Sequence, residues 1–245
     1  MEIIGVNVSP TNYLVATQDI TTWGREGTSR YICIATVHSI MEAYDSLEFK
    51  KILNQADLVT PDGMPLVWML KFKGYPSPTR VYGPTLMIHV IEKAAEKNIP
   101  IGFYGGSPSS LAKLRNNITS QFPLLRILFS FSPPYREMTL DEDNQICDDI
   151  TKSGVRILFV GLGCPKQEQW MAAHKSRLKL VMLGVGAAFD FHSGVKPQAP
   201  IWMQNAGLEW FFRLLSEPRR LWKRYLVHNP RFIILAIADL LGLIH

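Results

Sequence analysis

Seven short apolar segments alternate with helical segments over residues 1–199, and this alternation constrains the fold more than any other feature. The strand-like segments are EIIGVNV, RYICIATV, ADLVT, IGFYGG, RILFSFS, RILFVGLG and the start of KLVMLGVGAAFDF. RYICIATV is almost wholly apolar, which is typical of a strand buried on both faces. Strands separated by helices of about 10–15 residues form parallel sheets with crossover helices on the faces. The sequence therefore predicts an α/β fold, a Rossmann-like parallel sheet core flanked by helices.

The pattern changes near residue 200 and is helical from there on, with breaks at Pro218 and Pro230. We predict an α/β core over residues 1–199 and a C-terminal helical appendage over residues 200–245. The longest apolar run, residues 232–244, contains Asp239. It is shorter than the roughly 20 residues that a membrane-spanning helix needs. This run is therefore predicted to be buried or to lie on a membrane surface.

Composition narrows the class of protein. With 245 residues, 47% of them hydrophobic, the chain can bury a large core. Cys33, Cys147 and Cys164 are widely spaced, which favours a reducing compartment and gives no disulfide or metal signal. The first residues, MEIIGVNVSP, lack the basic and apolar regions of a secretory signal. We expect a cytoplasmic protein.

Polar and glycine-rich segments follow five of the predicted strands. They are residues 36–39, Asp62, FYGGSPSS, GLGCPKQEQW and GVGAAFDFHSG. Ligands of open parallel sheets bind beyond the carboxyl ends of the strands, so these segments predict one site. Asp62 stands in a bend between two apolar runs. Asp commonly serves its own turn there, and the alternative is a confined catalytic carboxylate.

Two of these segments suit an anion. Gly105 and Gly106 allow the backbone to approach a ligand, and Ser107 can cap the following helix. Gly163 leads into a helix with Lys166 in its first turn, where free N–H groups would stabilise a phosphate. Each segment fits a tight strand-to-helix turn equally well. Neither is a dinucleotide fingerprint or a Walker loop.

Metal chemistry has weak support in the sequence. LDEDN, residues 140–144, contains an acid-x-acid triplet, but Thr139 and Glu142 have capping-box spacing that also explains these acids. The histidines show no ligand spacing, and two of them, His89 and His174, fall within helices as structural or surface residues. We predict no metal site.

The excess of basic residues, which gives a net charge of +5, is concentrated in the appendage. Arginines and lysines alternate there with aromatic residues such as Trp210, Trp222 and Tyr225. This pattern suits an anionic membrane surface or a diphosphate. A nucleic-acid groove is a generic alternative, and a helix that packs its aromatic residues on the core is another.

The ordered segments ADLVTPDGMPLVW, RVYGPTLM, GLGCPKQEQWM, GVGAAFDFHSG with QAP, and GLEWFFRLLSEPRRLWKRY cover nearly the whole chain. With them the chain resembles the WecG/TagA/CpsF family of bacterial glycosyltransferases, glycosyltransferase family 26. The resemblance implies an inverting, metal-independent enzyme that needs no cofactor. It would move a sugar (N-acetylmannosamine, its uronic acid or a related hexose) from a UDP-sugar to a polyprenyl-diphosphate-linked sugar. The product would enter cell-surface polysaccharide or teichoic-acid synthesis.

The resemblance also implies roles for individual residues. Asp62 would be the general base, with Thr36 and Gln167 as further catalytic residues. The appendage would close over the site, contact the inner face of the cytoplasmic membrane, and supply arginines. The candidate substrate-binding residues are His38, Arg80, Thr85, Gly105, Gly106, Ser107, Gly163, Lys166, Asp190, Arg213, Arg219, Arg220 and Arg224. Two of these, His38 and Thr85, stand where the family often has Asn and Asp, which bears on the identity of the sugars.

Family self-association makes a homodimer plausible, and no nucleic-acid partner is expected. One rival is a nucleotide-dependent oxidoreductase, which the missing GxGxxG motif disfavours. The other is a non-catalytic peripheral membrane protein that senses a nucleotide. Membrane association without sugar transfer would identify it.

Overall fold

The computed structural model describes residues 1–205 and 207–244, and for residues 201, 205 and 224 it describes the backbone alone. Six parallel strands form the central sheet in the order β4-β3-β8-β7-β5-β6. The strands of the chain are β1 (Glu2–Ile3), β2 (Val6–Asn7), β3 (Arg30–Ala35), β4 (Leu58–Pro61), β5 (Ile101–Gly105), β6 (Ile127–Phe131), β7 (Ile157–Gly161) and β8 (Val181–Gly184). The prediction of a parallel α/β core is confirmed.

The N-terminal segment differs from its prediction as one strand. EIIGVNV folds back on itself, and β1 and β2 form a separate antiparallel pair. The reversal occurs at Ile4 and Gly5, both with positive φ. The hairpin buries Ile3, Val6 and Val8 against the core.

Helices connect the strands and form the C-terminal segment. They are α1 (Tyr13–Glu26), α2 (Val37–Asp45), α3 (Leu47–Asn54), α4 (Met64–Phe72), α5 (Gly83–Glu96), α6 (Pro108–Gln121), α7 (Leu140–Ser153), α8 (Lys166–His174), α9 (Ala188–His192), α10 (Ile201–Asn205), α11 (Glu209–Ser216), α12 (Pro218–Leu226) and α13 (His228–Leu240). The spacing of apolar residues from about Ser39 to Gln55 predicts one helix after β3, and this prediction is wrong, because the chain breaks at Ser46. That residue is extended and its side chain accepts a hydrogen bond from Phe49 N, which caps α3.

The sheet separates two apolar cores. In β7, Leu158 and Val160 face one core while Ile157 and Phe159 face the other, as strand geometry requires. The first core includes residues of α2, α3, α4, α7 and α8, and the second includes residues of α1, α5, α6 and α9.

This arrangement fixes where a ligand can enter. The strands beside β8, namely β3 and β7, lead into helices on the first core, whereas β8 leads into α9 on the second. Chain segments that leave neighbouring strands toward opposite faces open a crevice at the carboxyl ends of those strands. The crevice therefore lies around the end of β8.

The helical character predicted for residues 200–245 is confirmed over the part that the structure describes. Helix α13 packs on the core through Phe232 and Ala236, and Arg231 pairs with Asp45 of α2 at 2.6 Å. Asp239 accepts hydrogen bonds from Lys73 Nζ at 2.8 Å and from the backbone N–H of Ile4 at 3.1 Å. None of the described helices combines the length and the apolarity needed to cross a bilayer.

Candidate active site

Asp62 lies directly after β4 with most of its side chain buried. Its backbone N–H donates to Ala35 O at 2.7 Å, which extends the pairing of β3 with β4 by one residue. Gly63, at φ 123°, then turns the chain into α4, a conformation that residues with a side chain rarely adopt. The Asp62 carboxylate accepts a hydrogen bond from Arg80 Nε at 3.0 Å. Asp62 therefore occupies a bend and also pairs with Arg80.

Arg80 joins two carboxylates. Its Nη2 donates to Glu209 Oε2 at 2.7 Å, so one guanidinium connects Asp62 of the core to the first residue of α11. The side chains of Asp62, Arg80 and Glu209 are 13%, 18% and 8% exposed. The guanidinium also lies 4.4 Å from the centre of the Tyr82 ring. We call Asp62, Arg80 and Glu209 the carboxylate–arginine bridge.

Burial is the main influence on the pKa of the Asp62 carboxyl. It raises the pKa of the carboxyl above its usual range, Arg80 opposes that rise, and the charge of Glu209 adds to it. A carboxyl with a raised pKa accepts a proton more readily when it is ionised. The site thus contains a carboxylate suited to act as a base.

A cavity of about 350 Å³ opens beside Asp62. The core contributes the ends of β3, β7 and β8, and the appendage contributes α11, α12 and the start of α13. Its polar lining consists of Thr36, His38, Asp62, Tyr82, Gln167, Glu168, Arg213, Arg220, Lys223 and His228. The basic side chains favour an anionic ligand.

A second, smaller cavity of about 110 Å³ shares the wall that contains Asp62. It is lined by Met64 and Pro65 of α4, by Arg80 and Glu209, and by the aromatic rings of the appendage, Trp210 and Tyr225. Four residues line both cavities: Thr36, His38, Asp62 and Arg213. Asp62 therefore lies in the wall that the two cavities share.

Thr36 and Gln167 line the larger cavity and also hold local structure. Thr36 caps α2 in a capping box with Ser39. Gln167 accepts from Gly163 N–H at 3.2 Å and donates to Glu168 Oε1 at 2.9 Å, so its amide orientation is fixed. Glu168 is 1% exposed and is a second buried carboxylate of this cavity.

The loop after β5 has a structural explanation. Gly105, at φ 126°, passes so close to β7 that an added Cβ would lie 2.5 Å from Gly161 O. Gly106 N–H donates to the same oxygen at 3.1 Å, and Ser107 caps α6 by accepting from Ser110 N at 3.1 Å. Among the described residues this loop lines neither cavity. Its predicted contact with a diphosphate stays a prediction.

Lys166, Arg219, Thr85 and Asp190 lie outside the two cavities. Lys166 and Arg219 are exposed, Thr85 contacts Tyr13, and the Arg224 side chain is outside the described part of the chain. Asp190 accepts from Ser110 at 3.3 Å and pairs with Lys196 at 3.0 Å. Lys196 pairs with Glu217 at 3.3 Å, and Glu217 with Arg220 at 2.6 Å. This chain of ion pairs runs from α9 to a cation of the larger cavity.

Within the described residues, two groups of side chains that are not evenly spaced in the sequence bring ligand-type atoms together. Ligand atoms of His38, Glu42 and His228 lie within 4.8 Å of one another. The cations of the same cavity make this position more suitable for an anion than for a metal ion.

The second group is Asp143, Cys147 and His174. His174 Nε2 and Arg177 Nη1 lie 2.9 and 2.6 Å from Asp143 carboxylate oxygens, so this acid already faces two partners. The capping box of Thr139 with Glu142 is present, which supports the helix-capping explanation of LDEDN.

A comparison with known protein families shows which family the chain belongs to. The model of the glycosyl transferase WecG/TagA/CpsF family matches residues 1–244. The chain belongs to this family. The prediction that the protein is a glycosyltransferase is therefore confirmed, and the oxidoreductase and the non-catalytic sensor are disfavoured.

Two relatives of this WecG/TagA/CpsF-family transferase are Bacillus proteins, both named N-acetylglucosaminyldiphosphoundecaprenol N-acetyl-beta-D-mannosaminyltransferase. The protein from Bacillus spizizenii W23 is 29% identical over 214 residues, which cover 87% of this chain and 80% of the relative. The protein from Bacillus subtilis 168 is 28% identical over 193 residues, covering 78% and 73%.

Sequence reasoning missed two buried carboxylates of this family transferase, Glu168 and Glu209. Each left a signal: Glu168 follows Gln167 in the segment after β7, and Glu209 is an acid within the most aromatic part of the appendage. Both signals were weak because acids near helix N-termini are common on exposed surfaces. Their burial became evident only from the fold.

Proposed function

We propose that this transferase moves a sugar, N-acetylmannosamine or a related hexose, from a UDP-sugar to a polyprenyl-diphosphate-linked sugar. The observation that carries the proposal is the position of Asp62, a buried carboxylate in the wall between two cavities. The names of the two Bacillus relatives support the acceptor class and the transferred sugar. The donor, the inverting stereochemistry and the independence from a metal are parts of the proposal.

The larger cavity suits the donor. Arg213, Arg220 and Lys223 line it, and guanidinium groups bind diphosphates through paired hydrogen bonds. Gly163 and the mostly small residues 184–188 line the core side, where the ribose and the sugar can approach closely. In this proposal, side chains of the appendage supply the positive charge that stabilises the departing UDP.

The smaller cavity suits the acceptor sugar. Trp210 and Tyr225 offer ring faces against which a sugar can pack, and Arg80 and Asp62 offer hydrogen-bonding groups. The appendage also exposes many large apolar residues, among them Trp202, Leu208, Trp210, Phe211, Leu215, Trp222, Leu226, Val227, Ile233, Ile234, Ile237, Leu240, Leu241 and Leu243. We assign to them the contact with the membrane surface that carries the polyprenyl chain.

The chemistry follows from this placement. Asp62 takes the proton of an acceptor hydroxyl as its oxygen attacks C1 of the donor sugar from the face opposite the diphosphate. The bond from C1 to the diphosphate oxygen breaks, and its electron pair leaves with UDP. Attack from the opposite face inverts the configuration at C1. Arg213 and Arg220 stabilise the charge that develops on the diphosphate.

The test is the Asp62→Asn variant, which keeps the size and shape of the side chain. A screen of UDP-sugars with a short-chain prenyl-diphosphate sugar would measure transfer, and calorimetry with UDP would measure donor binding. We expect transfer to fall by about 10²-fold or more, with UDP binding within about threefold of the original protein.

Asp19→Asn is the matched control. Asp19 lies on α1, outside both cavities, and burial raises its pKa as it does for Asp62. Its variant should transfer at the original rate. Near-normal transfer by Asp62→Asn would exclude Asp62 as the base, and absence of transfer from every UDP-sugar tested would overturn the proposed donor.

A further inference from the structure

Glu209 has a position that the proposed reaction does not use directly. It is the first residue of α11, it is 6% exposed, and its carboxylate accepts a hydrogen bond from Arg80 at 2.7 Å. Arg80 is the same residue that donates to Asp62. An appendage residue is therefore connected to the proposed base through a single guanidinium.

We propose that Glu209 is a positioning residue that shares Arg80 with Asp62 and thereby makes the strength of the base depend on the docking of α11. The inference deepens the proposed function, because it assumes that Asp62 is the base. It assigns Glu209 an action through Arg80 and no contact with the reacting atoms.

The geometry gives the physical reason. A guanidinium paired with one carboxylate holds that carboxylate ionised and weakens it as a base. When a second carboxylate accepts from the other side of the same guanidinium, the positive charge is divided between two partners. With α11 docked, Asp62 is left facing a partly neutralised cation. When α11 is undocked, Asp62 faces Arg80 alone.

The other groups around Asp62 do not replace this effect. The ionisable groups that face it from the packed elements are Tyr13 of α1, His38 of α2, Arg80 and Tyr82 before α5, and Glu209 and Arg213 of α11. Within this set Glu209 is the one other carboxylate; Glu168, the second buried carboxylate of the larger cavity, accepts a hydrogen bond from Gln167. Arg213 belongs to the same helix, so docking brings both its positive charge and the negative charge of Glu209 to the site. The direct hydrogen bond to Arg80 distinguishes Glu209.

The variant that tests the inference is Glu209→Gln, in which the amide oxygen can still accept from Arg80 and α11 can still dock. We expect kcat at the pH plateau to fall about 3- to 10-fold, because Asp62 becomes a weaker base. We also expect the acidic limb of the kcat profile to move to lower pH, with the donor KM unchanged. A merely structural role would lower kcat without moving the acidic limb of the pH profile.

Glu217→Gln is the comparison variant. It carries the same substitution at another ion pair between appendage and core, Lys196 with Glu217, and leaves Arg80 untouched. Since Glu217 also holds Arg220, its variant should raise the donor KM and leave the acidic limb where it is.

A readout without turnover keeps the inference separate from the proposed reaction. The Asp62 carboxyl can be titrated by ¹³C NMR in labelled protein, with Asp62→Asn identifying its signal. We expect Asp62 to titrate at lower pH in Glu209→Gln than in the original protein. An unchanged titration, or a loss that appears in donor KM as for Glu217→Gln, would overturn the role of Glu209. A shifted titration in a protein that transfers no sugar would instead refute the proposed function and leave the coupling standing.

Discussion

Replacing Arg80 by Met tests the energetics of the carboxylate–arginine bridge without reference to activity. The substitution keeps much of the aliphatic length and removes the charge, which leaves two mostly buried carboxylates without their shared cation. Each hydrogen bond between charged groups contributes about 1.5–3 kcal/mol, so the two together contribute about 3–6 kcal/mol. The desolvation of Arg80, which the variant no longer suffers, offsets part of this loss.

The loss of stability in Arg80→Met is limited, because a buried carboxylate without its cation can take up a proton instead of staying charged. The ordinary pKa of a carboxyl lies about three units below neutral pH, and each unit corresponds to 1.36 kcal/mol. Protonating it at neutral pH therefore costs about 4 kcal/mol. We therefore expect Arg80→Met to lower the free energy of unfolding by about 3–5 kcal/mol at neutral pH.

The sign of the pH dependence follows from the raised pKa of Asp62. A carboxyl whose pKa is raised on folding stabilises the folded state below its unfolded pKa, and this contribution is lost as the pH rises through the folded pKa. Without Arg80 the pKa of Asp62 rises further on folding, so the folded variant binds more protons than the unfolded variant. Its stability relative to the original protein should recover on acidification, by up to about 1.4 kcal/mol per pH unit for each proton bound.

The assay is urea unfolding of both proteins at several values from about pH 5 to about pH 8. Lys93→Met is the control, because Lys93 forms a half-exposed pair with Glu96 and should change stability by less than about 1 kcal/mol. A loss below about 1 kcal/mol for Arg80→Met that is equal at all pH values would refute the reasoning. It would mean that water, and not Arg80, satisfies the two carboxylates.

Three further predictions concern other parts of the molecule. Gly105→Ala should destabilise the fold by about 2 kcal/mol or more in urea unfolding, since its Cβ would meet Gly161 O; Gly154→Ala, whose Cβ meets no atom within 4 Å, should cost less. Thr139→Ala removes the α7 cap and should cost about 1 kcal/mol in the same assay. Trp222→Ser should reduce co-sedimentation with anionic vesicles severalfold, whereas Tyr135→Ser, on an exposed loop of the core, should not. Equal binding by both would contradict the proposed membrane surface.

Much of the core was predictable because its strands are short, apolar and separated by helices with regular spacing. The break at Ser46 and the hairpin at Ile4 and Gly5 were not. Each depends on one or two residues whose local conformation competes with a longer regular pattern. In EIIGVNV the alternation is the same for one strand and for two, so the pattern cannot distinguish them.

The site was predictable to the extent that strand ends identify it. Asp62, Thr36 and Gln167 line one cavity, as their positions after parallel strands imply. Two contacts depend on tertiary placement, namely Arg80 with Glu209, 129 residues apart, and Lys196 with Glu217, 21 residues apart. Pairings between charged residues far apart in sequence leave no periodic signal. Family resemblance, rather than pattern, indicated that the appendage arginines belong at the site.

The contact of Asp239 with the backbone of Ile4 joins positions 235 residues apart. It cannot form on the ribosome until almost all of this sequence has been synthesised. All six strands of the central sheet are synthesised by Gly184, before the appendage. Until the appendage is made, the chain lacks Arg213, Arg220, Lys223 and His228 of the larger cavity, and Phe232 and Ala236 of the first core. The side chains proposed to hold the diphosphate are thus among the last that a nascent chain acquires.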